Sequence, residues 1–210
     1  MKLAVLGVLA VAVAVGQPGG LVRTKLQAGL VVAGAEKASV LVVLGAALDE
    51  PGCRAVRAVA AKVTAFGLSG RVVMGGDCGG VWKTVTAEAG FVGRAIGPGG
   101  AGKFAVLVSD AKGVVRYQRV LAQTAEGVAG MGSELIAWEQ GRASFSGHCG
   151  HCHGDDGTGT FFQGVKSMEG ITLRLSEEKI LEGGETFGAV PISTWSKGEV
   201  EALLLFVRGL

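Results

Sequence analysis

Cys149-Gly150-His151-Cys152-His153 is the stretch on which the reading of this chain turns. Two thiols three positions apart, with a histidine directly after the second, have the spacing for covalent attachment of a c-type haem. Each thiol can form a thioether with one vinyl group of the porphyrin, and His153 can supply an imidazole nitrogen to the iron. Two rival readings use the same residues. A Cys-x-x-Cys pair also occurs in redox dithiols, and His148, His151 and His153 beside two thiols offer donors for tetrahedral zinc. The zinc reading is the weaker, because His151 and His153 flank Cys152 and few of these groups can converge on one ion.

Outward from that motif, the composition sets bounds. The chain has 210 residues, 49% hydrophobic and 18% charged, enough for one large domain or two small ones with a sizeable core. Its 37 glycines predict many turns and short elements. A net charge of +2 and 6% aromatic residues give no case for a nucleic-acid surface. At the N-terminus, Lys2 followed by the unbroken apolar run Leu3–Val15 reads as a signal peptide over residues 1–16, with small residues Ala14-Val15-Gly16 before Gln17. The run is short for a membrane-spanning helix. Export places the haem in the periplasm or at its membrane surface. It also means that unpaired thiols need a partner, so Cys53 and Cys78 form a candidate disulfide pair.

The first half alternates strand and helix signals. A short entering strand is expected at Gly29–Ala33. Val40-Leu41-Val42-Val43-Leu44 is a valine-rich apolar run of the kind buried on both faces of a sheet. Arg54–Phe66 carries Val56, Val59, Ala60 and Val63 at helical spacing, and Gly67 stops it. Arg71–Met74 is a second strand and Val81–Ala89 a second helix. Phe104–Val108 and Val114–Tyr117, joined through Asp110-Ala111-Lys112-Gly113, form a hairpin. This order predicts a mixed sheet with helices packed on it.

With these residues the stretch from 35 to 121 resembles the thioredoxin-like redoxins of the thiol-peroxidase and thiol-reductase type. Val40–Gly45 leads to a helix beginning near a cysteine, and Phe104–Tyr117 looks like that family's central hairpin. Two departures mark it as a degenerate member. A single Cys53, after Asp49-Glu50-Pro51-Gly52, stands where the family carries a cysteine pair or a Thr-x-x-Cys arrangement. Gly102-Lys103 stands before Phe104 where the family places a cis-proline, and Pro98 lies too early. A helix N-terminus lowers a thiol pKa, so Cys53 is either a reactive thiol or a structural, disulfide-bonded one.

The second half begins after a glycine-rich linker at Ala125–Gly132. A helix follows from Ser133 through Trp138, Gly141 and Phe145 to the thiol motif. Ser176–Glu182 reads as a short helix. Ser196-Lys197-Gly198-Glu199 is a capping box opening a last helix to Arg208, with Val200, Leu203, Leu204 and Val207 as its apolar stripe. Residues 133–210 resemble a class I cytochrome c domain. The resemblance lies in Gly141-Arg142-Ala143-Ser144-Phe145, in Cys152–Gly159 and in Phe206–Leu210. It implies a small helical bundle around one covalent haem c, with Gly141 and Phe145 packing on Phe206 where first and last helices cross.

The expected organisation is therefore α/β followed by all-α: a signal peptide at 1–16, a degenerate thioredoxin-like mixed sheet with its linker at 17–128, and a cytochrome c domain at 129–210. Cys149, Cys152 and His153 are the expected haem-binding residues. The family's second axial ligand is a methionine before a proline near the last helix, but this chain has Val190-Pro191 there. Three readings stay open: Met168 ligates from another loop, the iron is five-coordinate beneath Val190, or a residue such as His148 takes the position. The expected function is single-electron transfer between redox partner proteins, including a complex at the membrane, with no substrate pocket that makes the chain an enzyme. The alternatives are a thiol peroxidase or reductase in which Cys53 reacts and the haem supplies electrons, and a five-coordinate haem sensor of gas or peroxide.

Overall fold

A computed structural model describes residues 20–32, 38–46, 48–73, 78, 82–88, 90–100, 102–155, 157 and 195–210. The expected signal peptide, the Ser176–Glu182 helix, Met168 and Val190 lie outside them. No described helix is long and apolar enough to cross a membrane.

The fold is α/β, built on a mixed five-stranded sheet. Its strands are β1 (Ala38–Leu44), β2 (Ser69–Val73), β3 (Lys83–Val85), β4 (Lys103–Asp110) and β5 (Val115–Ala122), in the order β3-β2-β1-β4-β5. β1 pairs parallel with β2 and β2 with β3, while β4 runs antiparallel between β1 and β5. The period of two along a strand sends alternate residues to opposite layers. Val40, Val42 and Leu44 of β1 join Phe104, Val106 and Val108 of β4 in one core cluster. Leu41 and Val43 join Ala105 and Leu107 in a second, on the other face. Both faces are covered, which is why these strands read as continuous apolar runs.

Helix α1 (Glu50–Ala65) lies on the first face. Asp49 caps it by accepting from the Gly52 amide at 2.9 Å, Pro51 fits its first turn, and Cys53, Val56, Ala60 and Val63 form its buried side. Gly67, at φ 86°, allows the chain to leave it. The second face is covered by α2 (Phe91–Ile96) and by the N-terminal segment with its 3-10 turn Ala28–Leu30. That 3-10 turn stands where an entering strand is expected. The expected helix at Val81–Ala89 is also replaced. Lys83–Val85 is an edge strand on β2, and helix begins at Phe91. The cause is tertiary: Trp82 lies over Gly70, where a Cβ would come within 2.6 Å of its ring.

The hairpin between β4 and β5 is fixed by Asp110, whose Oδ1 accepts from the amides of Lys112 and Val114 at 2.9 Å each. Its Oδ2 accepts from Nε of the buried Arg116 at 2.9 Å. Gly113 takes φ 79° at the turn.

The largest correction concerns the linker. Ala125–Gly132 is the opening of one 24-residue helix, α3 (Ala125–His148), capped by Thr124. The boundary expected at 128/129 falls inside it. Its first half packs on α1 through Val128, Met131 and Leu135, with Val59 Cγ1 only 3.3 Å from where a Cβ on Gly132 would stand. Tyr117 Oη donates to Glu134 of α3, and Arg119 pairs with Glu134 at 2.5 Å. Its second half packs on α5 (Lys197–Val207). Two of the three glycines that suggest a linker are sites of close approach: besides Gly132, a Cβ on Gly127 would lie 2.1 Å from the Ala122 carbonyl oxygen.

α5 opens on the expected capping box. Ser196 N donates to Glu199 Oε2 at 2.7 Å, and Glu199 N donates to Ser196 Oγ at 3.3 Å. Past its end, a Cβ on Gly209 would stand 1.8 Å from the Arg116 carbonyl oxygen, so the tail rests on β5. One core cluster thus runs from β1 through α1 and α3 to α5.

Candidate functional site

α3 brings the thiol motif to the edge of this core. Cys149 is its C-cap, donating its amide to the Phe145 carbonyl at 2.7 Å. A single further turn, α4 (Gly150–His153), follows directly. The Cys149 carbonyl accepts from both the Cys152 amide (3.1 Å) and the His153 amide (2.9 Å). Gly154 then donates to the Gly150 carbonyl at 2.8 Å and turns away at φ 73°. Both thiols and the imidazole therefore belong to one closed turn.

The turn is backed by the crossing of α3 and α5. A Cβ on Gly141 would lie 1.9 Å from the Ala202 carbonyl oxygen, so only glycine permits this approach. The Phe206 ring meets Phe145 at 5.2 Å and Trp138 at 5.3 Å between centroids. Phe145 thus packs on Phe206 as expected, whereas Gly141 meets Ala202. At the turn itself the exposed His148 ring contacts Trp195, just before the α5 cap, at 4.9 Å.

Cys149 and Cys152 are free thiols, the first half-buried against the core and the second exposed. Burial, with the nearby Cys152 adding to it, pushes the Cys149 thiol up to about 11. That favours the thiol over the thiolate, the form that attacks disulfides and oxidants. His153 is half-buried, and its Nδ1 is a buried nitrogen with no hydrogen-bond partner. A buried polar atom without a partner is costly and calls for a ligand or proton acceptor. Two free thiols and an unpartnered imidazole on one turn suit a covalently attached haem. Among the described residues no three His, Cys, Asp or Glu side chains gather as a metal-binding cluster, so the tetrahedral zinc set is not assembled there.

Sequence reasoning missed the side chains that fasten this turn. Ser146 Oγ donates to Asp155 Oδ1 at 2.6 Å. Arg142 binds both carboxylate oxygens of the buried Glu139 at 2.7 Å. That hydrogen bond, and the charges of Glu139 and Asp155, hold Arg142 above its ordinary range against the effect of burial. No pattern in the chain marks Ser146 and Asp155 as partners, because they meet only once α4 has formed.

The other two cysteines are joined: Cys53 and Cys78 form a disulfide, tying the first turn of α1 to the connection after β2. Arg57, held by Glu50 at 2.7 Å, donates to the Cys78 carbonyl at 2.5 Å. This disulfide is remote from the turn that carries Cys149, Cys152 and His153. Leu44 faces Phe104 and Phe104 faces Leu121, so α1 and α3 start from the same edge of the sheet and run the same way. Val59 lies beside Gly132. At 1.5 Å per residue, Cys149 is about 25 Å further along α3 and Cys53 about 9 Å back along α1.

Compared with protein-family models, curated proteins and solved structures, the chain gives no match.

Proposed function

We propose that this chain is an exported single-electron carrier with one covalent haem c, which Cys149 and Cys152 would hold through thioethers and His153 through its imidazole. The observation that carries the reading is the closed turn at the end of α3, which presents two free thiols and an imidazole whose buried Nδ1 lacks a partner. When bound, haem c supplies a one-electron ferric–ferrous couple. The chain's own part is to bind, orient and cover. Cys149 and Cys152 fix the group at two points, His153 faces it from the same turn, and Phe145, Trp138 and Phe206 make the wall behind the turn dry and rigid.

The cytochrome c reading of the second half is supported by the crossing of α3 and α5 at Gly141 and by the capping box at Ser196. The thioredoxin-like reading of the first half is supported by parallel β1 and β2 around α1, followed by an antiparallel hairpin and a helix on the same face as α1. Export to the periplasm is supported by the Cys53–Cys78 disulfide, a bond of oxidising compartments. The first half serves as a docking or structural module for redox partners. Against the thiol-peroxidase alternative, in which the haem supplies electrons to Cys53, stands the separation of Cys53 from the attachment turn along α1 and α3, on the order of 30 Å.

Met168 would be the second residue to hold the iron; the competing readings leave that place open or give it to another residue such as His148. Visible spectra of the exported protein, oxidised and reduced, test both levels. Porphyrin that stays with the denatured chain, and is lost in the Cys149→Ser/Cys152→Ser variant, is the expected result. Exported protein without covalent porphyrin overturns the function. A long-wavelength iron–thioether band that vanishes in Met168→Ala assigns the ligand, and identical spectra remove Met168. A high-spin ferrous spectrum that shifts on adding carbon monoxide favours the sensor.

A further inference from the structure

Backbone hydrogen bonds close the attachment turn from within, but its outer side is held by side chains. Asp155 lies two residues beyond His153, and its carboxylate returns to the end of α3 to accept from Ser146 Oγ at 2.6 Å. On the way it crosses Gly150. A Cβ on Gly150 would stand 2.8 Å from that same Oδ1, too close for both to stay in place. The Gly150 backbone has no positive φ, so its conformation does not demand glycine. The demand comes from the carboxylate above it. The other neighbours of such a Cβ, the Phe145 carbonyl oxygen at 3.6 Å and Asp155 Cα at 3.7 Å, are at ordinary contact distance.

We infer that Asp155 is the positioning residue of the attachment turn. Bound to Ser146 across the bare backbone of Gly150, it folds the chain back after His153 and keeps Cys149 half-buried and in register with Cys152 and His153. Arg142 supplies a favourable charge nearby and leaves the Asp155 carboxylate to Ser146, since the two bonds it donates go to Glu139. Asp155 acts through the turn and touches no reacting atom. Its purpose rests on the haem reading; its geometry does not.

The experiment uses the full-length chain and two readouts. In unloaded protein, alkylation rates of Cys149 and Cys152 are resolved by peptide mass with iodoacetamide. In exported protein, the fraction carrying covalent porphyrin is measured. Asp155→Ala is expected to speed alkylation of Cys149 about fivefold, the scale of one lost charge-assisted hydrogen bond at an exposed site, and to lower loading by a similar factor. Cys152, already exposed, keeps its rate. Gly150→Ala reproduces the effect, and adding it to Asp155→Ala changes nothing further, because the new methyl no longer meets a carboxylate. Ser146→Ala removes the same bond from the α3 side without altering any residue of the turn, and gives the same direction should either other variant fold poorly. Unchanged Cys149 rates in Asp155→Ala and Ser146→Ala overturn the inference, as do additive effects in the double variant. The expected alkylation pattern in a chain that never carries porphyrin upholds the positioning role and overturns the haem reading instead.

Discussion

Gly141 of α3 and Ala202 of α5 approach so closely that a Cβ on the first would stand 1.9 Å from the carbonyl oxygen of the second. The obstacle is backbone, so no rotamer change relieves it. The two helices that back the thiol turn are therefore held in one register by a missing side chain, with Phe145 and Trp138 locked on Phe206 on either side. Because α3 also packs on α1 through Met131 and Leu135, the register of the turn is transmitted to the sheet.

Gly141→Ala should destabilise the chain by about 3 kcal/mol, at the upper end for overpacking because the clash is with main chain. Urea unfolding measures it. Gly147→Ala, in the same helix with nothing within 4 Å of the added carbon, is the control, and should be neutral or stabilising by up to about 1 kcal/mol. Equal effects from the two substitutions would mean that the crossing does not depend on Gly141.

Strands β1 and β4 are legible in the sequence because burial on both faces leaves unbroken apolar runs, and the turn Asp110 to Gly113 places the start of β5. α1 is legible from the helical spacing of Val56, Val59, Ala60 and Val63 and its stop at Gly67; it starts at Glu50 rather than at the expected Arg54, because Asp49 caps it and Pro51 fits its first turn. What escapes is set by tertiary contact. β3 has three residues, Lys83-Thr84-Val85, and owes its place to β2 and to Trp82 over Gly70, so its own sequence does not mark it as strand rather than helix. Gly127, Gly130 and Gly132 read as a linker because glycine is poor in helices. Two of them are instead places where the Ala122 carbonyl and Val59 need the room. At the site, the spacing of Cys149, Cys152 and His153 is visible from the chain alone. The fastening by Ser146 and Asp155, and the contact of His148 with Trp195, join residues too far apart in sequence to be read as pairs.

A continuous α3 makes the two halves one cooperative unit. Met131→Ala, on the α1 side, and Phe145→Ala, on the α5 side, should each cost about 3 kcal/mol and shift the same single melting transition. Calorimetry decides this. Two separable transitions, each moved by only one of the substitutions, would show that the sheet half and the haem-motif half fold independently.

The Cys53–Cys78 disulfide closes a loop of 25 residues. Replacing both cysteines by serine should cost about 3 kcal/mol, read from the urea midpoint. Alkylation of Cys149 in folded protein and the visible spectrum of loaded protein should not change, since the bond lies on the order of 30 Å from the turn. A spectral change or lost electron transfer in this variant would revive the reading in which the two redox groups work together.

Tyr117 is the only tyrosine in the chain, so its titration can be followed without overlap. Its phenol is 8% exposed and donates to Glu134. Burial, then the Glu134 charge and hydrogen bond, push it well above its ordinary value of 10.0, with Arg119 opposing. The native state thus keeps its proton where the unfolded chain loses it. Above pH 10.0 the unfolded state binds fewer protons, and stability falls with rising pH; below it this contribution is fully present. Phenolate absorbance in the folded protein should stay flat through pH 10.0 and rise only with unfolding. Tyr117→Phe should lose about 1 kcal/mol at neutral pH, from the hydrogen bond to Glu134, and show a shallower alkaline decline than the parent. A phenol that titrates at its ordinary value while the fold is intact would mean that the seam between β5 and α3 is open to water.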